Sequence, residues 1–319
     1  MPRERGLMRF PLTPERIWSN LSEIHINRYW EAHMAIKLRK LSYALGAEVC
    51  DVDVARPMSE QEFGEIYTAF LDNGILLFRN QDITREQHIE FSRRFGDLDR
   101  HEALPRDRHK DYPELLMVTN EPKPDGSPSD TKYTGRQWHS DMSFTTVPSL
   151  GSLLKSYAVP EVGGDTLFAN MYMAYDALSD GMKKLIAGLH GIHLSGTRKL
   201  ANEDTGVVRA EEQKRINPPV AQPVVRVHPE TGRKALYIGE KVKRLEGMTE
   251  DESKPLIDYL VGHATRAEFL YRHQWKKNDI VAWDNRCVMH QALGDFDDAQ
   301  LRHMERTTVL GTPSGYVVA

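Results

Sequence analysis

The stretch from Gln137 to Phe144 contains a histidine and an aspartate two residues apart, His139 and Asp141. If this stretch is a strand, side chains two residues apart lie on the same face, so an imidazole and a carboxylate stand side by side. That pair is two thirds of a 2-His-1-carboxylate set, which holds Fe(II) in non-haem oxygenases and leaves positions on the metal open. A His-x-Asp tripeptide also arises by chance, and taken alone a surface pair in a turn is the stronger interpretation.

A second histidine, His290, ends a run in which an apolar segment after Asp279 passes into a polar turn. A lone histidine in such a place is more often structural than a ligand. His290 follows His139 by 151 residues (290 − 139) and would complete the ligand set begun by His139 and Asp141. The three side chains together predict a metal centre.

Two arginines, Arg302 and Arg306, stand four residues apart near the end of the chain. On a strand both point to one face, with Met304 between them and His303 and Glu305 on the opposite face. A guanidinium binds planar oxyanions through paired hydrogen bonds, so two of them on one face predict a site for two carboxylate-like or sulfonate-like anions. The alternative is a solvated basic edge with salt bridges.

The elements that must position these residues are many short strands and a few helices. Helical spacing and capping residues predict helices over 59–74, 84–96 and 175–189. They also predict a helix from Thr249 whose inward-facing residues are Leu256, Tyr259 and Leu260. Short apolar runs predict strands at 36–41, 46–49, 75–78, 115–118, 151–159, 166–169, 224–227, 235–238, 269–271, 280–283 and 307–310. This pattern predicts a mainly β fold with flanking helices around a sandwich or jelly-roll core.

Two long polar segments, 99–135 and 195–222, are candidate lids, because long loops in compact domains are usually functional or disordered. Residues 34–319 are expected to form a single domain. Residues 1–33 differ in pattern and are expected to be an N-terminal extension. Either they pack on the body or on a neighbouring subunit, or they have little structural role.

Composition limits the classes of function. The chain has 319 residues, 28% of them charged, and a net charge of −4, so it lacks the basic excess of nucleic-acid-binding proteins. No apolar run approaches the ~20 residues that span a bilayer, and the start lacks the apolar core of a signal peptide. Cys50 and Cys287 are the only cysteines, which excludes a cysteine-based zinc site and favours a reducing cytoplasm. We expect no nucleic-acid or membrane partner, and a homo-oligomer.

Four motifs occur in an order that identifies a known family. They are Trp138-His139-Ser140-Asp141, Gly163-Gly164-Asp165-Thr166, Trp283-Asp284-Asn285-Arg286, and His290 followed by Arg302 and Arg306. Over roughly residues 34–311 the chain resembles the taurine dioxygenase family of Fe(II)/2-oxoglutarate-dependent oxygenases. That family also contains aryloxyalkanoate dioxygenases and alkylsulfatases. The resemblance implies a double-stranded β-helix (jelly-roll) core.

The resemblance also implies roles for single residues. It makes His139, Asp141 and His290 the ligands of Fe(II), and it places the distal carboxylate of the cosubstrate 2-oxoglutarate on Arg302, with help from Thr166. The other expected ligand of the enzyme is O2. The primary substrate would be bound by its anionic group, and the residues implied in this are Arg306, His101 and the backbone N–H of Met142.

The implied reaction is hydroxylation of a small organic anion at a carbon next to a heteroatom, with loss of CO2 and formation of succinate. We expect a sulfonate such as taurine or a relative, and the alternatives are an aryloxyalkanoate or an alkylsulfate. The sequence departs from the taurine enzyme at Gly135-Arg136-Gln137, where that enzyme has asparagines. Two other classes remain open: a hydrolase or isomerase with a different metal, and a non-catalytic jelly-roll binding protein.

Overall fold

The structure is a computed structural model that describes residues 36–102, 107–129, 131–195 and 217–318. The predicted extension at 1–33 lies outside these residues, and so does most of the candidate lid at 195–222. None of the helices within the described ranges is long and apolar enough to cross a membrane.

The described residues contain five α-helices, one 3-10 turn at Ala267–Phe269 and sixteen short strands. The helices are α1 Glu60–Asn73, α2 Arg85–Arg93, α3 Met171–Asp176, α4 Asp180–Ile186 and α5 Glu250–Ala264. The strands are β1 Lys37–Lys40, β2 Ala47–Cys50, β3 Ile75–Phe78, β4 Leu116–Thr119, β5 Ser149–Ala158, β6 Thr166–Asn170, β7 His190–His193, β8 Val220–Pro223, β9 Val225–Val227, β10 Lys234–Leu236, β11 Val242–Leu245, β12 Leu270–His273, β13 Ile280–Asp284, β14 Val288–Ala292, β15 His303–Leu310 and β16 Tyr316–Val317.

Local chemistry explains where the helices begin and end. The Ser59 side chain accepts a hydrogen bond from the Glu62 N–H at the start of α1. Gly74 ends that helix in the left-handed conformation, which costs glycine no side-chain clash. A capping box at Thr249 and Glu252 starts α5. These predicted boundaries are confirmed to within one residue.

Two sheets build the jelly roll. The larger has seven strands in the order β1-β2-β3-β13-β5-β15-β4, and the smaller has the order β12-β6-β14. A four-stranded sheet, β11-β7-β8-β16, and the pair β10-β9 complete the strands of the described residues. Phe168 of the smaller sheet packs on Trp283 of the larger one, with ring centroids 5.6 Å apart. Because both side chains are almost completely buried, the apolar core lies between these two sheets. The mainly β fold with a jelly-roll core is confirmed.

Three local predictions are wrong. The helix predicted over 175–189 is two helices, because Asn170 caps α3 and Ser179 caps α4 with their side chains. Tyr259, expected to face inward on α5, is 51% exposed. Residues 137–144 do not form a strand: His139 makes one isolated β-bridge, and the chain then turns.

A buried histidine on α2 predicts acid sensitivity of the fold. His88 is fully buried, with Nε2 3.2 Å from the Leu153 carbonyl oxygen, and burial lowers its pKa to about 4. An unfolded histidine titrates near pH 6.5, so the unfolded state binds more protons between these values. The contribution of neutral, buried His88 to the free energy of unfolding is therefore fully present above pH ~6.5. It falls by about 3 kcal/mol as the pH drops to ~4.

Urea titrations between pH 4 and pH 7 measure this effect. His88→Gln should lose that part of the pH dependence. The matched control is His190→Gln, at a side chain that is 33% exposed, and it should keep the wild-type slope. Equal slopes in wild type and His88→Gln would contradict the assignment.

Candidate metal centre and anion sites

The two histidines and the aspartate predicted as ligands come together at the end of the smaller sheet. His139 and His290 exchange two backbone hydrogen bonds, of 3.0 and 2.8 Å, so the bridge places their side chains beside each other. His290 belongs to β14, and Asp141 lies in the turn just after the bridge. The Nε2 atoms of His139 and His290 lie 3.7 and 3.9 Å from the two carboxylate oxygens of Asp141. One ligand atom from each residue lies within 4.8 Å of the others.

The two histidines and the aspartate have the protonation states that bind a metal ion. His139 Nδ1 lies 2.7 Å from the Gln137 carbonyl oxygen, to which it donates, and this leaves the Nε2 lone pair facing Asp141. Burial lowers the pKa of both His139 and His290, so the neutral, metal-binding form is favoured. Burial alone would raise the pKa of Asp141, but its polar neighbours, foremost the charge of Arg306, outweigh burial and hold that pKa well below its usual range. Two neutral imidazoles and a carboxylate therefore face one point.

Sequence reasoning missed the groups that hold Asp141 in place. The Ser152 hydroxyl donates to Asp141 Oδ2 at 2.7 Å, and Asn285 Nδ2 donates to that hydroxyl at 2.9 Å. Asn285 Oδ1 accepts from the Asp141 N–H and from the Trp283 indole N–H, both at 3.0 Å. The motif Trp283-Asp284-Asn285-Arg286 was a usable signal for Asn285. Ser152, inside an apolar strand, gave none.

This network predicts that Ser152→Ala lowers the affinity for Mn(II) or Fe(II) by about 10- to 100-fold, because partners that orient a metal ligand typically matter to that extent. Isothermal titration measures it. Ser149→Ala is the matched control: Ser149 lies on the same strand and donates at 2.9 Å to the Asp141 main-chain oxygen rather than to its carboxylate. Similar losses of metal affinity in both variants would contradict a specific role for Ser152.

Arg306 contacts the metal centre directly. Its Nη1 lies 2.5 Å from Asp141 Oδ1, and its buried Nε has no partner within the described ranges. Arg302 precedes β15 and donates from Nε to the Gly164 carbonyl oxygen at 3.0 Å. Burial lowers the pKa of Arg302 to about 10. Each of the two arginines is 7% exposed, so the solvated basic edge considered from the sequence is wrong.

Thr166 opens β6 and is buried. Its Oγ1 accepts a hydrogen bond from the Trp275 indole N–H at 3.0 Å. That bond uses an acceptor position, so the hydroxyl proton can still be donated to an anion. Gly164, the hydrogen-bond partner of Arg302, is two residues away in the same motif.

His101 is completely buried in the left-handed region, at φ 53°. Its Nε2 lies 3.2 Å from the Glu114 carbonyl oxygen, and its Nδ1 has no hydrogen-bond partner among the residues that the structure describes. Burial, followed by the charge of Arg306, lowers the pKa of His101 to about 4. Since Nε2 donates to the carbonyl, an anion bound at Nδ1 requires a second proton there, and anion binding would raise this pKa.

Met142 also has a left-handed backbone, at φ 54°, directly after Asp141. Its carbonyl oxygen accepts hydrogen bonds from the Thr145 N–H and hydroxyl at 3.0 and 2.9 Å. No acceptor for the Met142 N–H occurs within the part of the chain that the structure describes. A buried N–H of this kind normally finds a partner, and a substrate oxyanion would provide one.

A second cluster of His228, Asp284 and Cys287 has metal-like spacing, but its polar atoms are already engaged. His228 Nδ1 accepts two backbone N–H groups, and its Nε2 donates to Asp284 Oδ2 at 3.0 Å. Arg286 donates to both carboxylate oxygens of Asp284. This cluster is a hydrogen-bonded support for the turn between β13 and β14.

Comparison with known proteins agrees with this geometry. The family model "Taurine catabolism dioxygenase TauD, TfdA family" matches residues 37–308. An alpha-ketoglutarate-dependent 2,4-dichlorophenoxyacetate dioxygenase of Cupriavidus pinatubonensis is 34% identical over 286 residues, which cover 87% of this chain and 98% of that protein.

Two crystal structures share the fold. One is AAD-2 in complex with Mn(II) and N-oxalylglycine, with a TM-score of 0.74 and 34% identity over 88% of this chain and 99% of that one. The other is a taurine dioxygenase from Burkholderia xenovorans, with a TM-score of 0.73 and 29% identity over 89% and 95% of the two chains. The chain therefore belongs to the TauD, TfdA family and is an iron- and 2-oxoglutarate-dependent dioxygenase.

Proposed function

We propose that His139, Asp141 and His290 hold Fe(II), and that the enzyme hydroxylates a small organic anion next to a heteroatom. The observation that carries this proposal is the convergence of the three donors, with the buried Arg306 in contact with Asp141. A 2-His-1-carboxylate set leaves up to three positions on the metal open, which an oxygenase needs for its cosubstrate and O2.

Iron held by these three residues would supply, together with 2-oxoglutarate and O2, the oxidising chemistry of a hydroxylation that forms succinate and CO2. The protein's contribution is position and environment. Arg302 and the Thr166 hydroxyl bind the distal carboxylate of 2-oxoglutarate. Arg306, the Met142 N–H and the His101 imidazole bind the anionic group of the substrate, so that its reactive carbon faces the metal. Burial of these groups strengthens each contact and excludes water.

For the primary substrate we propose an aryloxyalkanoate, which is supported by the named activity of the relative from Cupriavidus pinatubonensis. Hydroxylation of the carbon beside the ether oxygen would give a hemiacetal-like product that breaks into a phenol and an oxoacid. A sulfonate is the second candidate, supported by the similar fold of the taurine dioxygenase from Burkholderia xenovorans.

A succinate-release screen over aryloxyalkanoates, sulfonates and alkyl sulfates tests the substrate class. The first class should give the highest kcat/KM, with the matching phenol released in equal amount to succinate. Turnover of a sulfonate with release of sulfite, and none with aryloxyalkanoates, would move the assignment to the second candidate. Metal-reconstituted enzyme without any primary substrate is the control for uncoupled succinate formation.

We also propose that residues 34–319 form one catalytic domain with 1–33 as an extension, that the protein acts in the cytoplasm, and that it is a homo-oligomer. The free thiols of Cys50 and Cys287 support a reducing compartment. Association is supported by β16, an edge strand that exposes Tyr316 and Val317. Light scattering on the purified protein tests the last point, and a monomer at micromolar concentration would contradict it.

A further inference from the structure

Arg302 is not the only cation in its pocket. A small cavity of about 20 Å³ is lined by Arg302 and by Arg136, together with Thr131, Lys132, Leu293 and Phe296. Lys132 pairs with Asp298 at 3.1 Å, so its charge is compensated. Neither arginine forms an ion pair with an acidic side chain of the described residues. Two guanidiniums without a direct ion pair around one cavity form a site for an anion.

A hydrogen bond, an aromatic ring and a glycine define the position of Arg136. Its carbonyl oxygen accepts from Gln291 Nε2 at 2.9 Å, which attaches this part of the loop to β14. Its guanidinium lies 4.8 Å from the centre of the Tyr133 ring, a cation–π distance. On its other side is Gly294: a Cβ added there would come within 2.5 Å of the Arg136 Cζ. The aromatic ring and the glycine together leave space for the guanidinium beside the cavity.

Electrostatics supports the same conclusion. Arg302 is 7% exposed, and its Nε donates only to a neutral carbonyl, that of Gly164. Burial, and then the nearby positive charge of Arg136, lower the pKa of Arg302 to about 10. Two like charges held close together repel each other. The charge of Asp165 acts on Arg302 in the opposite sense but with a smaller effect than Arg136, and an anion between the two guanidiniums would remove the remaining cost.

We propose that Arg136 is a second binding residue for the distal carboxylate of 2-oxoglutarate, acting with Arg302, and that Gly294 keeps the space it needs. This rests on the proposed function. It adds a specificity element: with two guanidiniums on one carboxylate, the pocket selects a 2-oxo acid that carries a second carboxylate over one that does not. The difference from the taurine enzyme at Gly135-Arg136-Gln137 would then affect binding of the cosubstrate.

The test compares two ligands by isothermal titration of the Mn(II)-loaded protein without O2. 2-Oxoglutarate has the distal carboxylate, and 2-oxopentanoate lacks it. Arg136→Gln should raise the Kd of 2-oxoglutarate at least about 10-fold, the effect of losing one charge-assisted hydrogen bond. The Kd of 2-oxopentanoate should stay within about 2-fold of wild type. Arg136→Lys should restore part of the affinity for 2-oxoglutarate.

Two further variants separate binding from structure. Lys132 lines the same cavity, and Lys132→Gln removes a charge that Asp298 already compensates. This variant should change neither Kd by more than about 2-fold. Gly294→Ala removes no charge but displaces the Arg136 guanidinium, so it should weaken 2-oxoglutarate binding selectively. Circular dichroism melting checks that each variant is folded.

The outcomes are distinct. Equal weakening of both ligands in Arg136→Gln would show that Arg136 only supports the loop, and an unchanged Kd for 2-oxoglutarate would show that it makes no contact. Either result overturns this inference and leaves the proposed function intact. Failure of wild-type protein to bind 2-oxoglutarate at all would instead overturn the proposed function.

Discussion

His139→Ala should reduce kcat/KM by at least about a thousandfold, equivalent to roughly 4 kcal/mol of transition-state stabilisation. The variant keeps the backbone bridge to His290 but removes one of the three groups that face the metal position. It should also lose high-affinity Mn(II) binding in isothermal titration. This substitution is cleaner than one at Asp141, because loss of that carboxylate would leave the buried Arg306 charge unpaired and destabilise the fold.

The matched control for His139→Ala is His190→Gln, which alters a partly exposed histidine that faces Glu246 and the Tyr316 ring and is not part of the ligand set. It should retain wild-type Mn(II) affinity and turnover. Near-normal metal binding and turnover in His139→Ala, with wild-type values in the control, would remove His139 from the ligand set.

Arg302→Ala and Arg306→Ala should have separable effects. Arg302→Ala should raise the KM for 2-oxoglutarate about 100-fold, because a bidentate, charge-assisted contact of roughly 3 kcal/mol is lost. Arg306→Ala should chiefly lower kcat/KM for the primary substrate. It should also reduce stability, since Asp141 Oδ1 loses its partner at 2.5 Å. Initial-rate kinetics with each substrate varied in turn measures the split.

The control for this pair is Arg56→Ala, which removes an exposed guanidinium that pairs with the exposed side chain of Asp53. Exposed ion pairs contribute little, so this change should leave both KM values near wild type. If Arg302→Ala and Arg306→Ala raised both KM values by similar factors, the division of the two arginines between cosubstrate and substrate would be wrong.

Much of the fold follows from local pattern. Caps such as Ser59 and Thr249, and apolar runs such as 280–283, mark helices and strands through interactions within a few residues. The wrong helix prediction over 175–189 arose because one polar residue changes the local secondary structure. Ser179 starts a new helix inside a pattern that reads as one continuous helix, and its side chain accepts from the Met182 N–H. Tyr259 has helical spacing that suits the core, but no element of the described part of the chain covers it.

The site residues also fall into two groups, those that could be found from the sequence and those that could not. His139, Asp141 and His290 could be found because their residue types and order are themselves a motif. The supports of Asp141 could not, because Ser152 reaches it from a strand whose sequence reads as plain core. Arg136 was noticed only as a difference from a relative. Its relation to Arg302 depends on a cavity that forms when residues more than 160 positions apart meet, and local sequence does not encode such proximity.

The central claim is that these three side chains bind Fe(II) and present it to 2-oxoglutarate. Visible absorption of the protein under anaerobic conditions, with Fe(II) and saturating 2-oxoglutarate, tests it most directly. We expect a weak metal-to-ligand charge-transfer band in wild type. The band should be absent in His139→Ala. In Arg302→Ala it should appear only at a higher concentration of 2-oxoglutarate than the wild-type protein needs. Folded wild-type protein without the band, or an identical band in His139→Ala, would contradict the claim.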